Sequence, residues 1–180
     1  MTINYDKLRY IDEYLKILVN FLEKKELLDN TLLIITSDHG QEFLDHGRFG
    51  HFARFYDEHI HIPLILFVSG IEGHVNENLA SQIDIPPTIL HFYGFSIPGE
   101  YRGFSLLVNN EREYVIGEVA HDKNGVYIMD NKIHLLEFIL EFRTYAIRTK
   151  RWKYICRYDK ADNRKCDYII YQTIQKKKLI

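Results

Sequence analysis

The first third of the chain contains one helical hydrophobic pattern followed by two strand-like patterns. Residues 4–27 repeat leucine and isoleucine at three- and four-residue steps, with charged residues between them. That period predicts an amphipathic α-helix. Residues 31–36 and 62–68 are continuous apolar runs rich in β-branched residues, typical of strands buried on both faces. Pro63 suits the first residues of the second strand, where its missing N–H does little harm.

The remaining pattern adds one helix and a series of strands. Residues 41–55 are rich in glycine and histidine, which indicates a loop. Residues 81–93 predict a helix with two prolines near its first turn, where proline is tolerated. Residues 114–119 predict a third strand, and the alternating residues 126–158 predict antiparallel hairpins. The order of elements favours an α/β fold, a layered sheet flanked by helices with a partly antiparallel C-terminal end.

Composition narrows the class of protein. The 180 residues suit a single domain over 1–180, and 46% hydrophobic with 27% charged residues indicates a globular chain. Lys plus Arg is 23 and Asp plus Glu is 25, so the net charge of −2 argues against a nucleic-acid partner. No apolar run is long enough to span a bilayer, so we expect no membrane partner. The polar residues after Met1 differ from a signal peptide, and we expect a cytoplasmic protein.

The two cysteines, Cys156 and Cys166, are ten residues apart. A disulfide within a hairpin is one alternative. Reduced thiols are expected in a cytoplasmic chain.

Candidate chemistry begins where the first strand ends, at the sequence Ser37-Asp38-His39-Gly40. In open α/β sheets, ligands bind beyond the carboxyl ends of strands. Asp38 and His39 would offer one carboxylate oxygen and one imidazole nitrogen to a divalent metal. That pairing favours Mn²⁺ or Zn²⁺, or iron, over Ca²⁺, which remains possible. Two ligands are too few for a catalytic metal site, so further ligands must come from elsewhere.

A histidine cluster follows the Asp-His pair. Four of the nine histidines lie between residues 46 and 61, at positions 46, 51, 59 and 61. Such a cluster can bind a metal or an anionic substrate, and the alternative is an exposed polar loop. The preceding strand and the glycines that flank His46 and His51 favour a functional role.

Taken in order, these segments resemble the C-terminal half of sulfatases within the alkaline phosphatase superfamily. The series, which extends over nearly the whole chain, is far more specific than any one motif. The resemblance implies an alkaline-phosphatase-like fold that is incomplete relative to the family. Residues 1–110 would form the α/β part with the metal site, and residues 111–180 the strand-rich part. The segments that carry the likeness are Thr31–Gly40, Gln41–Phe43, His46–His51, Phe55–Ile65, Ser81–Leu90, Arg102–Leu106 and Tyr145–Tyr154.

The resemblance also implies roles for individual residues. Asp38 and His39 fall where the family binds its catalytic metal. Many sulfatases have Asp-Asn there and bind calcium, whereas Asp-His looks more like phosphonate monoester hydrolase and phosphodiesterase members that favour manganese or zinc. His51 falls where many members place a lysine that contacts the sulfate or phosphate and its leaving group, so His51 is the catalytic and substrate-binding candidate. His46 is a second substrate-binding candidate, and Gln41 and Glu42 are expected to be loop scaffold.

The chain also departs from the family pattern. The family's nucleophile, a Cys or Ser converted to formylglycine in Cys/Ser-x-Pro-x-Arg, has no counterpart here. The nearest string, Ser96–Glu100, has Glu100 in place of the arginine and lies in a segment that matches another part of the family. We therefore expect a C-terminal half, with formylglycine only on a missing N-terminal segment, and negligible turnover by this chain alone.

Three functions remain open. The first is the C-terminal portion of a metal-dependent hydrolase that acts on small sulfate esters. The second is a phosphodiesterase or phosphonate hydrolase of the same superfamily, and the third is a non-catalytic remnant or one subunit of a split enzyme. Strands that lack their neighbours would expose edges and apolar faces, so we expect a homo-oligomer or an N-terminal-half partner chain. Arg48, Arg54 and Arg148 are expected to be surface or structural residues.

Overall fold

The computed structural model describes residues 2–47, 49–51, 55–121, 142–159 and 169–172. The chain forms two compact units, and each is described by itself. The first unit consists of Met1–Thr36 with Pro63–Val75, and the second of Ser37–Ile62 with Asn76–Ile180.

The first unit opens on the predicted amphipathic helix. Helix α1 spans Thr2–Lys24 and is followed by a 3-10 turn at Leu28–Asn30. Its helical period is confirmed, although the helix begins two residues earlier and ends three residues earlier than expected. The apolar side is open to solvent: Leu8 is 62% exposed and Ile17 is 61% exposed. No helix in the described ranges is long and apolar enough to cross a membrane.

The two predicted strands of this unit pair with each other. Strand β1 (Leu32–Thr36) runs antiparallel to strand β4 (Leu64–Val68), and the Thr36 hydroxyl donates to the Pro63 carbonyl at 2.8 Å. The prediction that both strands are buried on both faces is wrong, because Ile65 is 55% and Phe67 40% exposed. The physical reason is that, in the described part of the chain, β1 and β4 pair only with each other. The expectation of exposed strand faces and edges is therefore confirmed within this unit.

The second unit begins with a short hairpin and a helical turn in the segment expected to be a loop. Strand β2 (Glu42–Phe43) pairs with β3 (Phe49–Gly50), and the rings of Phe43 and Phe49 meet edge to face at 5.6 Å. Helix α2 covers Asp57–Ile60. Elements this short carry no readable period, which is why the hydrophobic pattern did not reveal them.

The second predicted helix is anchored by a buried aspartate. A 3-10 turn at Gln82–Asp84 leads into α3 (Ile85–Phe92), which confirms the helix predicted over 81–93. Asp84 is 1% exposed. Its carboxylate accepts the N–H groups of Ser81 at 2.8 Å and Phe104 at 2.9 Å, and it pairs with the Arg112 guanidinium at 2.5 Å. A buried carboxylate needs such partners to stay ionised.

The C-terminal strands form one antiparallel sheet in the order β5-β6-β7-β8. The antiparallel C-terminal end is confirmed for β6 and β7, whereas residues 126–141 of the predicted hairpins lie outside the described residues. The strand β8 was not predicted. The four strands of this sheet are β5 Val115–His121, β6 Phe142–Arg148, β7 Trp152–Asp159 and β8 Ile169–Gln172.

Cys156 in β7 is disulfide-bonded. The only other cysteine of the sequence, Cys166, lies outside the described residues. The expectation of reduced thiols is therefore wrong. It rested on the chemistry of the compartment, which carries no information about the distance between two sulfur atoms.

An ionic cluster joins α2 to the C-terminal sheet within the second unit. Asp57 accepts hydrogen bonds from Arg148 at 2.7 Å and from Lys153 at 2.6 Å. Lys153 is only 4% exposed, and Arg148 has the structural role expected for it. Partial burial by itself would raise the pKa of Asp57, but the Lys153 hydrogen bond and the charges of Lys153 and Arg148 lower that pKa below its usual range.

We predict that Asp57 contributes stability that disappears in acid. Its folded-state pKa is lowered, so the contribution is present above the unfolded-state pKa of about 3.9 and is lost as the pH falls through the folded-state value. Asp57→Asn should therefore flatten the dependence of unfolding free energy on pH below about pH 5. Urea unfolding between pH 3 and 7 measures both slopes, and equal slopes in the two proteins would contradict the assignment.

Close packing between β5 and the segment before α2 gives a second prediction. A Cβ added at Gly117 would lie 2.5 Å from the ring of Phe55, whereas one at Gly99 meets nothing within 4 Å. Gly117→Ala should lower the free energy of unfolding by about 1–3 kcal/mol through overpacking. Gly99→Ala is the control and should change it by no more than about 0.5 kcal/mol. Similar losses in both variants in urea unfolding would show that β5 and Phe55 are not in contact.

Candidate functional site

The predicted Asp-His pair lies in a compact turn, Ser37–Gly40, here called the 37–40 turn. The Ser37 hydroxyl donates to the His39 carbonyl at 2.6 Å. The His39 backbone N–H donates to Asp38 Oδ1 at 2.9 Å. These local bonds, typical of Ser and Asp in turns, place the two side chains on the same side of the backbone.

The tautomer of His39 follows from its hydrogen bond. Nδ1 lies 2.8 Å from the Gly40 carbonyl oxygen. A carbonyl oxygen only accepts, so Nδ1 carries the proton and, in the neutral ring, the lone pair is on Nε2. That nitrogen lies 3.7 Å from Asp38 Oδ2. Two electron-pair donors therefore face each other with no proton between them.

This arrangement fits a divalent metal. Bonds from such an ion to nitrogen or oxygen are about 2.0–2.2 Å long, so donors 3.7 Å apart can both reach one ion. The Asp38 side chain is 87% exposed and that of His39 46% exposed, which leaves room for more ligands. Groups of three or more His, Cys, Asp or Glu side chains suited to a metal are absent from the described ranges. Asp38 and His39 are thus the two candidate ligands that the described ranges offer.

Electrostatics keeps the carboxylate in the form that a metal requires. The His39 backbone N–H lowers the pKa of Asp38 below its usual value, and the positive charge of the His39 ring lowers it further when that ring is protonated. Asp38 is therefore ionised throughout the neutral range.

His51 lies next to the pair formed by Asp38 and His39. Its ring stacks on that of His39, with centroids 4.4 Å apart and planes 27° from parallel. His51 itself is exposed to solvent. Of the residues predicted for the site, Asp38, His39 and His51 are thus together.

His46 has different neighbours. Its ring stacks on Tyr56 at 3.9 Å, and its Nε2 lies 3.4 Å from Glu58 Oε2. Its backbone N–H donates to Glu42 Oε1 at 2.9 Å. The contacts described for His46 thus tie it to the segment before α2 and to α2, and its substrate-binding role stays a prediction.

The 37–40 turn packs against helix α2, and the residues next to this contact are buried. Gly40 donates its N–H to the His59 carbonyl at 2.8 Å, and a Cβ at Gly40 would lie 2.0 Å from the Glu58 carbonyl oxygen. Glu42 is fully buried, with Oε2 3.7 Å from Nε2 of the buried His59. Glu42 therefore acts as the scaffold expected of it. The burial of His59 was not foreseen, because helix α2 is too short to show a period.

Comparison with known proteins decides the family. The Sulfatase family model matches residues 3–95, which is more than half of the chain. This chain belongs to the sulfatase family. The predicted alkaline-phosphatase-like fold is confirmed, and the family in general uses a metal ion and formylglycine.

Individual relatives agree with this assignment. The chain is 34% identical over 159 residues to an N-acetylglucosamine-6-O-sulfatase of Bacteroides thetaiotaomicron, covering 84% of this chain and 27% of that protein. It is 32% identical over 149 residues to arylsulfatase K of Mus musculus, covering 78% and 25%. A solved structure in complex with its substrate D-glucosamine-2-N,6-O-disulfate is 26% identical, with a TM-score of 0.64 over 92% of this chain and 32% of that chain. The chain thus spans about a quarter of the curated relatives it matches.

Proposed function

We propose that this chain supplies the metal-binding and leaving-group side of an active site that hydrolyses small sulfate esters. The observation that carries the proposal is the pair of donors, His39 Nε2 and Asp38 Oδ2, 3.7 Å apart beside the stacked His51 ring. Membership of the sulfatase family supports the reaction class.

Asp38 and His39 would hold the metal, with Mn²⁺ or Zn²⁺ favoured and Ca²⁺ possible, because an imidazole nitrogen is a poor ligand for calcium. When bound, such an ion neutralises the ester oxygens and lowers the pKa of the nucleophile. The hydrogen bond from His39 Nδ1 to the Gly40 carbonyl orients the imidazole. Because two ligands bind weakly, metal affinity of this chain alone should be low.

His51 would act on the leaving group. A protonated imidazole can donate a proton to the departing oxygen. In its protonated form the same ring also attracts the negative charge of a sulfate. Its stacking on His39 would keep that ring within reach of a substrate held at Asp38 and His39.

The nucleophile would come from another segment. The 180 residues contain no Cys/Ser-x-Pro-x-Arg sequence, so formylglycine cannot form on them. Without a nucleophile there is no covalent step, and we expect negligible turnover by this chain alone. The exposed apolar side of α1 and the exposed β4 residues favour a partner chain that carries the missing segment, or a homo-oligomer.

The substrate class follows from the relatives. The names of two of them, an N-acetylglucosamine-6-O-sulfatase and a protein bound to D-glucosamine-2-N,6-O-disulfate, favour a sulfated sugar. A second candidate is a phosphodiesterase or phosphonate monoester hydrolase, favoured by histidine at position 39.

A cytoplasmic location stays a prediction, and the disulfide at Cys156 favours an oxidising compartment instead.

Reconstitution tests this proposal. The chain should be assayed with Mn²⁺ on an aryl sulfate and a bis-aryl phosphate, alone and co-expressed with a sulfatase segment that carries the formylglycine motif. We expect turnover of the sulfate only in the pair. His51→Ala should lower it by about 10²–10⁴-fold, as for loss of a general acid.

The matched controls separate the alternatives. Asp38→Ala should abolish turnover by the pair, whereas Asp45→Ala, a neighbouring acid outside the 37–40 turn, should not. Preferred hydrolysis of the bis-aryl phosphate would favour the second candidate. Clear turnover by the lone chain, abolished by Asp38→Ala, would refute the claim that the chain is an incomplete site.

A further inference from the structure

Gln82 makes two hydrogen bonds to the backbone on either side of the Ser37–Asp38 peptide. Its side-chain Nε2 donates to the Ser37 carbonyl at 3.0 Å and to the Asp38 carbonyl at 2.9 Å. The carboxamide has two N–H donors, so both bonds can form at once. Gln82 is separated from the 37–40 turn by more than forty residues of sequence.

We propose that Gln82 is a positioning residue for the 37–40 turn. Fixing the carbonyls of Ser37 and Asp38 fixes the orientation of both peptide planes. The planes in turn set where Asp38 Oδ2 and His39 Nε2 point. The functional part of this inference rests on the proposed role of Asp38 and His39 in metal binding.

The element that carries Gln82 is held rigidly. Gln82 begins the 3-10 turn that Ser81 and Asp84 cap reciprocally. The buried Asp84 is bound by Arg112 and by the Phe104 N–H. A Cβ at Gly103 would lie 1.9 Å from the Ile83 carbonyl oxygen, so the neighbouring loop also packs tightly against this turn. A donor on such an element can hold a second segment in place, which a donor on a mobile loop could not.

The contact differs from a general packing contact in its chemistry. Gln82 is exposed to solvent, so its apolar stem contributes little to the core. Its effect on the 37–40 turn should therefore depend on the N–H donors and not on side-chain volume. Gln82→Met keeps the length and removes both donors, whereas Gln82→Glu places a carboxylate against two carbonyl oxygens. Ile83→Met, at the exposed neighbouring position, is the matched control.

The first measurement is amide hydrogen exchange of the full chain without metal. We expect exchange of the His39 and Gly40 amides to be about five- to tenfold faster in Gln82→Met, the factor that corresponds to one hydrogen bond of typical net strength. Gln82→Glu should have at least the same effect. The Tyr93 amide at the end of α3, which donates to the Ile89 carbonyl at 3.2 Å, should be unchanged. Ile83→Met should change none of them.

The second measurement is the dissociation constant for Mn²⁺. It should rise about tenfold or more in Gln82→Met, the range found when a group that orients a metal ligand is removed. Faster exchange together with weaker Mn²⁺ binding supports the whole inference. Faster exchange with an unchanged dissociation constant for Mn²⁺ supports the positioning role and refutes its proposed link to metal binding. Unchanged exchange of His39 and Gly40 in both Gln82 variants would overturn the inference, whatever the metal affinity.

Discussion

The hydrogen bond from His39 Nδ1 to the Gly40 carbonyl determines what the 37–40 turn can bind. It fixes the tautomer, so that the ring nitrogen facing Asp38 carries a lone pair. Without it, a proton on Nε2 would bond to the carboxylate and close the site to a cation. Gly40 makes this geometry possible, because only a residue without a Cβ fits against the Glu58 carbonyl.

Neither the candidate metal site nor the fold is complete in the described part of the chain. In the proposed metal site Asp38 and His39 would provide two ligands, and the described ranges provide no third. The first unit likewise has a helix with an exposed apolar side and, among the described residues, a sheet of two strands. The chain spans about a quarter of its curated relatives, which accounts for both features if the remaining ligands and layers lie in other segments.

The sequence predicted the features that depend on local pattern. The helical pattern predicted α1 and α3, and the apolar runs predicted β1 and β4. The end of the first strand indicated Asp38 and His39 as candidate ligands. Burial of β1 and β4 was mispredicted because an apolar run reports what a strand can bury and not whether a neighbour is present.

Features that depend on distant contacts could not be predicted. Gln82 lies far along the chain from the carbonyls that it bonds, and no spacing rule relates them. The same holds for Lys153 at Asp57. Short elements such as β2, β3 and α2 were also not predicted, since two to four residues are too few to show a period. The stacking of His51 on His39 could not be predicted either, because nothing local to either residue requires it.

Electron spin-echo spectroscopy of Mn²⁺ bound to the full chain distinguishes a metal site at Asp38 and His39 from one elsewhere. We predict modulation from one directly bonded imidazole nitrogen. That modulation should disappear in His39→Ala and persist in His51→Ala, because in the proposed site His39 is a ligand and His51 lies on the substrate side. Modulation that survives in His39→Ala, or that is lost only in His51→Ala, would contradict the assignment of the metal to Asp38 and His39.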